Sequence, residues 1–134
     1  MKKMNGFTLI ELMLVVIIIS ALAAMVLPRL AGRSEQARMA AASADIRANI
    51  ATALKLYELD NGQFPISSEG LQALLIKPSS APNWNGPYLE KEPVDPWGRV
   101  YVYKSPGQHR PQDYDLFSLG KDGQPGEDDI NNWE

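Results

Sequence analysis

The sequence predicts an α+β fold: a long N-terminal helix, apolar in its first half, then a small antiparallel sheet and an acidic, glycine-rich C-terminal loop. Three observations carry this. Residues 12–27 are apolar apart from Ser20 and with their flanks make roughly 20 residues, enough to cross a bilayer as a helix. Met39, Ile46, Ile50, Leu54 and Tyr57 follow at spacings of 7, 4, 4 and 3, one stripe on a helix surface. Beyond residue 99 the pattern changes to short runs rich in Val, Tyr and Phe, separated by Pro and Gly, as in strands joined by turns. The chain has 134 residues; without the apolar helix roughly 100 remain, enough for one small domain.

The apolar run begins abruptly. Lys2 and Lys3 lead to Gly6-Phe7, and Glu11 follows four positions after the Phe. An ordinary secretory signal is cut after its apolar region, which is then discarded. Here the recognisable junction lies ahead of that region, so processing would leave the helix on the mature chain. The rival site is Ala21-Leu22-Ala23, a small-x-small pattern that would release a secreted domain beginning near Ala24. Against it, Glu11 would interrupt the signal's apolar region, and the helical pattern continues past Ala23 without a break. Charge bias does not orient the segment, since Lys2 and Lys3 are balanced by Arg29 and Arg33. Glu11 is costly in a membrane, about 2.5–3.5 kcal/mol on insertion scales, so it should mark a function and have a partner. At headgroup depth the cost would be small.

From Arg29 the helix is expected to reach about Asp60, where Asn61-Gly62 supplies a stop. Pro28 removes one helical hydrogen bond and clashes with the preceding turn, so a kink or local opening is expected there. A second short helix is predicted over 68–76, capped by Ser67 or Ser68 and ended before Pro78. Asp95-Pro96-Trp97-Gly98 reads as a turn, with Pro96 presetting its second position and Gly98 suited to its fourth. Strands are predicted over 100–103 and 114–118, an antiparallel pair connected through Pro106-Gly107-Gln108-His109, with a weaker third near 88–90.

Several functions are excluded. The formal charge of −3 becomes −5 if Lys2 and Lys3 are lost, which argues against nucleic-acid binding through a basic surface. There is no cysteine, hence no disulfide and no thiolate metal site. His109 is the only histidine and lies in a Pro/Gly loop without a spaced partner, a loop hydrogen-bonder in place of a base or ligand. Gly120, Gly123 and Gly126 do not follow a strand and open a helix, so they form no phosphate loop. No serine stands in a nucleophile elbow. What remains is the loop from Ser118 to Ile130, with Asp122, Glu127, Asp128 and Asp129 among its glycines. Such oxygens suit Ca²⁺, but the spacing does not fit an EF-hand, and a solvated acidic turn is the competing reading.

The leader Gly6-Phe7-Thr8-Leu9-Ile10-Glu11 resembles that of type IV filament proteins. Leu59-Asp60-Asn61-Gly62-Gln63-Phe64-Pro65, Glu69-Gly70-Leu71-Gln72-Ala73-Leu74, Asp95-Pro96-Trp97-Gly98, Ser105-Pro106-Gly107-Gln108-His109, Asp115 through Gly120 and Asp128 through Trp133 resemble, more narrowly, the major pseudopilins of type II secretion systems. The resemblance implies a pilin-like subunit with a leader at 1–6, a transmembrane and filament-core helix at 7–28 and a periplasmic domain at 29–134. It implies that prepilin peptidase cuts between Gly6 and Phe7 and methylates the amine of Phe7. Glu11 would pair with that amine on a neighbouring copy, and Pro28 would lie near the membrane boundary. The implied role is the major subunit of an inner-membrane-derived periplasmic filament that helps export folded proteins across the outer membrane. Its partners would be other copies of itself, minor pseudopilins and the inner-membrane assembly platform with its ATPase; it would not be an enzyme. The implied cofactor is Ca²⁺, held by Asp122, Asp128 and Asp129 with carbonyls of Leu119 and Gln124. The chain departs from the family pattern at Pro125-Gly126-Glu127, one residue shorter than usual. Alternatives are a type IV pilin for adhesion or DNA uptake, in which cysteines are expected, and a membrane-anchored calcium module that never polymerises.

Overall fold

A computed structural model describes Met1 and residues 6–134, with side chains omitted for 29–31. The basic leader residues Lys2 and Lys3 lie outside the described residues. The chain divides into two units, Met1–Ala37 and Arg38–Glu134.

Helix α1 spans Leu9–Ala44 and has Pro28 inside it. The helical stretch is continuous through the proline. Regular α geometry gives way later, in a π-helical turn at Asp45–Asn49, where the Ile50 N–H bonds to the Asp45 carbonyl. Helix α2 then runs Ile50–Asn61 and ends as predicted, with Gly62 at φ 79° donating its N–H to the Glu58 carbonyl. The whole helical stretch is long and apolar enough to span a membrane, and none of its most apolar window is buried within the chain.

In the second unit the predicted stripe faces inward. Ile46, Ile50, Leu54 and Tyr57 are buried with Ala42 and Ala53, whereas Met39 stays exposed. They share one core with Ala73, Leu74, Ala81, Tyr101, Tyr103, Tyr114, Leu116 and Ile130. Burial of tyrosines requires partners for their hydroxyls. Tyr101 donates to Asp45 Oδ2 at 2.9 Å, Tyr103 to the Pro65 carbonyl at 2.7 Å and Tyr88 to Asp60 Oδ2 at 2.6 Å. Burial pushes the phenols of Tyr101 and Tyr103 far above their ordinary range.

The predicted helix over 68–76 is a 3₁₀ turn, Gly70–Leu74, without a side-chain cap. Gly70 has φ 59°, incompatible with the interior of a right-handed helix. The Ile66 carbonyl takes the N–H groups of both Glu69 and Gly70, closing a turn where Ser67 and Ser68 were expected to start a helix. Ser67 instead reaches across to Ser105, exchanging bonds of 3.0 and 2.8 Å with its backbone.

The sheet has the order β1-β2-β3, with β1 Val102–Lys104, β2 Asp115–Ser118 and β3 Ile130–Asn131. Both pairings are antiparallel; Tyr103 faces Leu116 and Ser118 faces Ile130. The third strand is therefore not at 88–90 but at the C-terminus. Two residues are too short to show alternation, and Asn132 completes the edge with its side chain. Its Oδ1 accepts from Leu116 N and its Nδ2 donates to the Tyr114 carbonyl.

Candidate functional sites at the N-terminus and the C-terminal loop

At the N-terminus, Phe7 is 87% exposed and a Cβ on Gly6 would meet nothing within 4 Å, so the predicted junction is open on both sides. Thr8 and Glu11 form a reciprocal helix cap. Glu11 N donates to the Thr8 hydroxyl oxygen at 3.3 Å, while Thr8 N and its hydroxyl donate to Glu11 Oε2 at 3.1 and 3.0 Å. This is the Thr-x-x-Glu capping box. The signal is present in the sequence as Thr8 followed three residues later by Glu11. From Leu9 to Leu27 the large apolar side chains are exposed, Leu12 at 59% and Ile18 at 56% among them.

At the other end, two buried carboxylates hold the loops. Asp115 is 1% exposed and accepts from Gln108 N at 2.7 Å, His109 N at 2.9 Å, Arg110 N at 3.1 Å and His109 Nδ1 at 3.0 Å. Burial alone would raise its pKa, but these bonds, led by those from His109, outweigh it and hold the carboxyl below its ordinary value. His109 is thus the loop hydrogen-bonder expected, and its ring also stacks on Trp133 at 4.0 Å. Asp95, 3% exposed, accepts from Trp97 N, Arg99 N and the Ser118 hydroxyl. The predicted turn closes over it, with Gly98 N on the Asp95 carbonyl at 2.9 Å.

Ser118 also takes the N–H of Gly120, leading into the acidic loop. Asp128 Oδ2 accepts from Lys121 N at 3.2 Å and Asp122 N at 3.5 Å, and Asp122 Oδ1 accepts from Gln124 N at 2.8 Å. The Leu119 carbonyl receives Gly123 N at 3.1 Å. Asp129 differs from the others: its Oδ1 is buried with no hydrogen-bond partner. Burial, with the charges of Asp128 and Asp122 adding to it, raises its pKa. Among the described residues no three acidic or histidine side chains converge into a finished metal cage. A buried, unpartnered carboxylate oxygen flanked by two like charges nevertheless fits a hard cation, which prefers oxygen donors. Arg99 was not foreseen here, although it donates to the carbonyls of Gly120 and Lys121.

A long N-terminal helix followed by a small three-stranded antiparallel sheet is the α+β architecture of the pilin-like class. Residues 1–27 match the prokaryotic N-terminal methylation motif, and residues 29–133 match the type II secretion system protein G family. The type II secretion system core protein G of Pseudomonas aeruginosa is 48% identical over 99% of this chain and 97% of its own. That of Escherichia coli K12 is 45% identical over 98% of this chain and 92% of its own. The crystal structure of the major pseudopilin from the type 2 secretion system of enterohaemorrhagic Escherichia coli is similar, with a TM-score of 0.67 at 37% identity, covering 76% of this chain and 87% of that one. The chain belongs to the type II secretion system protein G family, the major pseudopilins, a family of structural subunits and not of enzymes.

Proposed function

We propose that this subunit is anchored in the bacterial inner membrane by residues 7–28, with residues 29–134 in the periplasm, and that copies of it polymerise into the pseudopilus. The observation that carries this reading is the unburied apolar surface of residues 9–27, directly behind Gly6-Phe7. An apolar face of that length needs lipid before assembly and the same face of other copies afterwards. Prepilin peptidase removes residues 1–6 and methylates the amine of Phe7; the methylation motif over residues 1–27 supports this step. Minor pseudopilins and the inner-membrane platform would receive the subunit from lipid, and Pro28, lacking one helical hydrogen bond, would let the helix bend at the boundary. Mass spectrometry of the native N-terminus tests processing. N-methyl-Phe7 is the expected first residue, and a bulky residue in place of Gly6 should leave the precursor uncut. A mature chain starting near Ala24 would point instead to a secreted protein.

Glu11 then has two successive partners. In the single subunit the Thr8 amide and hydroxyl hold its carboxylate; in the filament the methylated amine of a neighbour's Phe7 offsets its charge where little water screens the pair. Glu11→Leu should therefore preserve membrane insertion and abolish both filament formation and secretion. Normal assembly of that variant, seen by cross-linking of copies in membranes, would remove the pairing role.

For the C-terminal loop the reading is a Ca²⁺ site in which Asp122, Asp128 and Asp129 supply carboxylate oxygens and Leu119 and Gln124 supply carbonyls. Its support is the orphaned Oδ1 of Asp129 beside two further aspartates. Bound there, the ion would neutralise the clustered charge and fasten the segment that leads into β3.

A further inference from the structure

Arg99 lies outside the acidic loop in sequence but is bonded to it. Its Nη1 donates to the Gly120 carbonyl at 2.9 Å and its Nη2 to the Lys121 carbonyl at 3.4 Å. The same two peptide groups turn their other ends to Asp128: the N–H of Lys121 and the N–H of Asp122 both point at Oδ2. Two consecutive peptides are thus polarised between a guanidinium on one side and a carboxylate on the other. Hydrogen bonds in such chains strengthen one another, and a planar fork is suited to holding two acceptors at once. Gly123, at φ 72°, lets the guanidinium sit against the loop, because a Cβ there would lie 2.6 Å from Arg99 Cζ. Both ends of the arrangement hang from one buried group. Asp95 accepts the backbone N–H of Arg99 and the hydroxyl of Ser118, and Ser118 accepts the N–H of Gly120 at the loop entrance.

We infer that Arg99 is a positioning residue for the cation site: through the peptides 120–121 and 121–122 it aims Asp128 and keeps the loop ordered before any ion enters. It also occupies the carbonyls of Gly120 and Lys121, leaving the side-chain carboxylates and the carbonyls of Leu119 and Gln124 to hold the ion. This rests on the calcium reading above for its purpose, but its geometry is a property of the loop alone.

The test uses the full chain in detergent micelles, with Ca²⁺ titrated calorimetrically and amide exchange followed residue by residue in chelator. Arg99→Ala should speed exchange at Lys121 and Asp122 and weaken Ca²⁺ binding, each by about tenfold, the change expected on losing one charge-assisted bond in a partly solvated site. Amides of β1 and β2 should keep wild-type protection, which separates a local effect from unfolding. Arg99→Lys, a point charge that cannot fork two carbonyls, should loosen the same two amides while leaving the charge in place. Wild-type exchange at Lys121 and Asp122 in both variants would overturn the inference. If the wild-type chain takes up no Ca²⁺, the calcium reading fails by itself. Faster exchange in Arg99→Ala would then still uphold the positioning role, and unchanged exchange would end it.

Discussion

Replacing Asp115 with alanine is expected to lower the melting temperature of the unit Arg38–Glu134 by roughly 12–24 °C. The amides of Gln108, His109 and Arg110 all donate to this carboxylate, and a buried donor left unpaired costs about 1–3 kcal/mol. Partial access of water to the loop keeps the sum near 3 kcal/mol, and each kcal/mol moves the midpoint of a domain this size by about 4–8 °C. Gly107 packs directly on this carboxylate, since a Cβ there would lie 2.5 Å from Asp115 Oδ1. The pH dependence has a definite sign. Hydrogen bonds hold the folded carboxyl below its unfolded value of 3.8. Its contribution is therefore complete above that pH and disappears as the pH falls through the lower folded value. Thermal melts of wild type and Asp115→Ala should converge in strong acid. A variant that melts with wild type at neutral pH would show that the loop finds its hydrogen bonds elsewhere.

Removal of Ca²⁺ with a chelator should lower the wild-type midpoint by roughly 10 °C or more. Binding to the folded form alone contributes about 2.7 kcal/mol when the free ion stands at 100 times Kd, with the conversion to temperature as above. Asp122→Ala should abolish the difference, and Mg²⁺ should replace Ca²⁺ poorly because it demands tight octahedral geometry. Asp129 gives the chelated protein its own pH signature. Burial and the charges of Asp128 and Asp122 raise its folded pKa above 3.8, so without the ion stability falls as the pH rises from 3.8 through the folded value. Asp129→Asn should remove that decline, raise the midpoint in chelator and remove the response to Ca²⁺. Identical melting of wild type with and without the ion would return the loop to an ordinary acidic turn.

The sequence made the long-period features legible. The stripe Ile46, Ile50, Leu54 and Tyr57 repeats often enough to mark a face, and Gly62 stops the helix by a backbone conformation that few other residues adopt. The short features were lost for stated reasons. Ser67 and Ser68 carry capping chemistry, yet Gly70 takes a left-handed φ and the Ile66 carbonyl closes a turn on it instead. Ile130 and Asn131 make a strand only because β2 is already there to pair with them. The π turn at Asp45–Asn49 has no composition signal; it matches Asp45 to Tyr101 and Arg47 to the C-terminal carbonyl of Glu134. At the candidate sites, acidic residues announced themselves by type, whereas Arg99 and Ser118 are common residues whose roles arise from partners 21 and 23 positions away.

The two buried aspartates also decide how this protein relates to the chemistry of its surroundings. Asp95 and Asp115 tie together segments that a small exported domain often joins with disulfides, and they do so by gathering backbone amides in a chain without cysteine. No thiol oxidase or isomerase is needed for the chain to mature, and no swing in redox poise, reductant or peroxide can undo such a tie. The fold that these two carboxylates hold is then the same under aerobic and anaerobic growth.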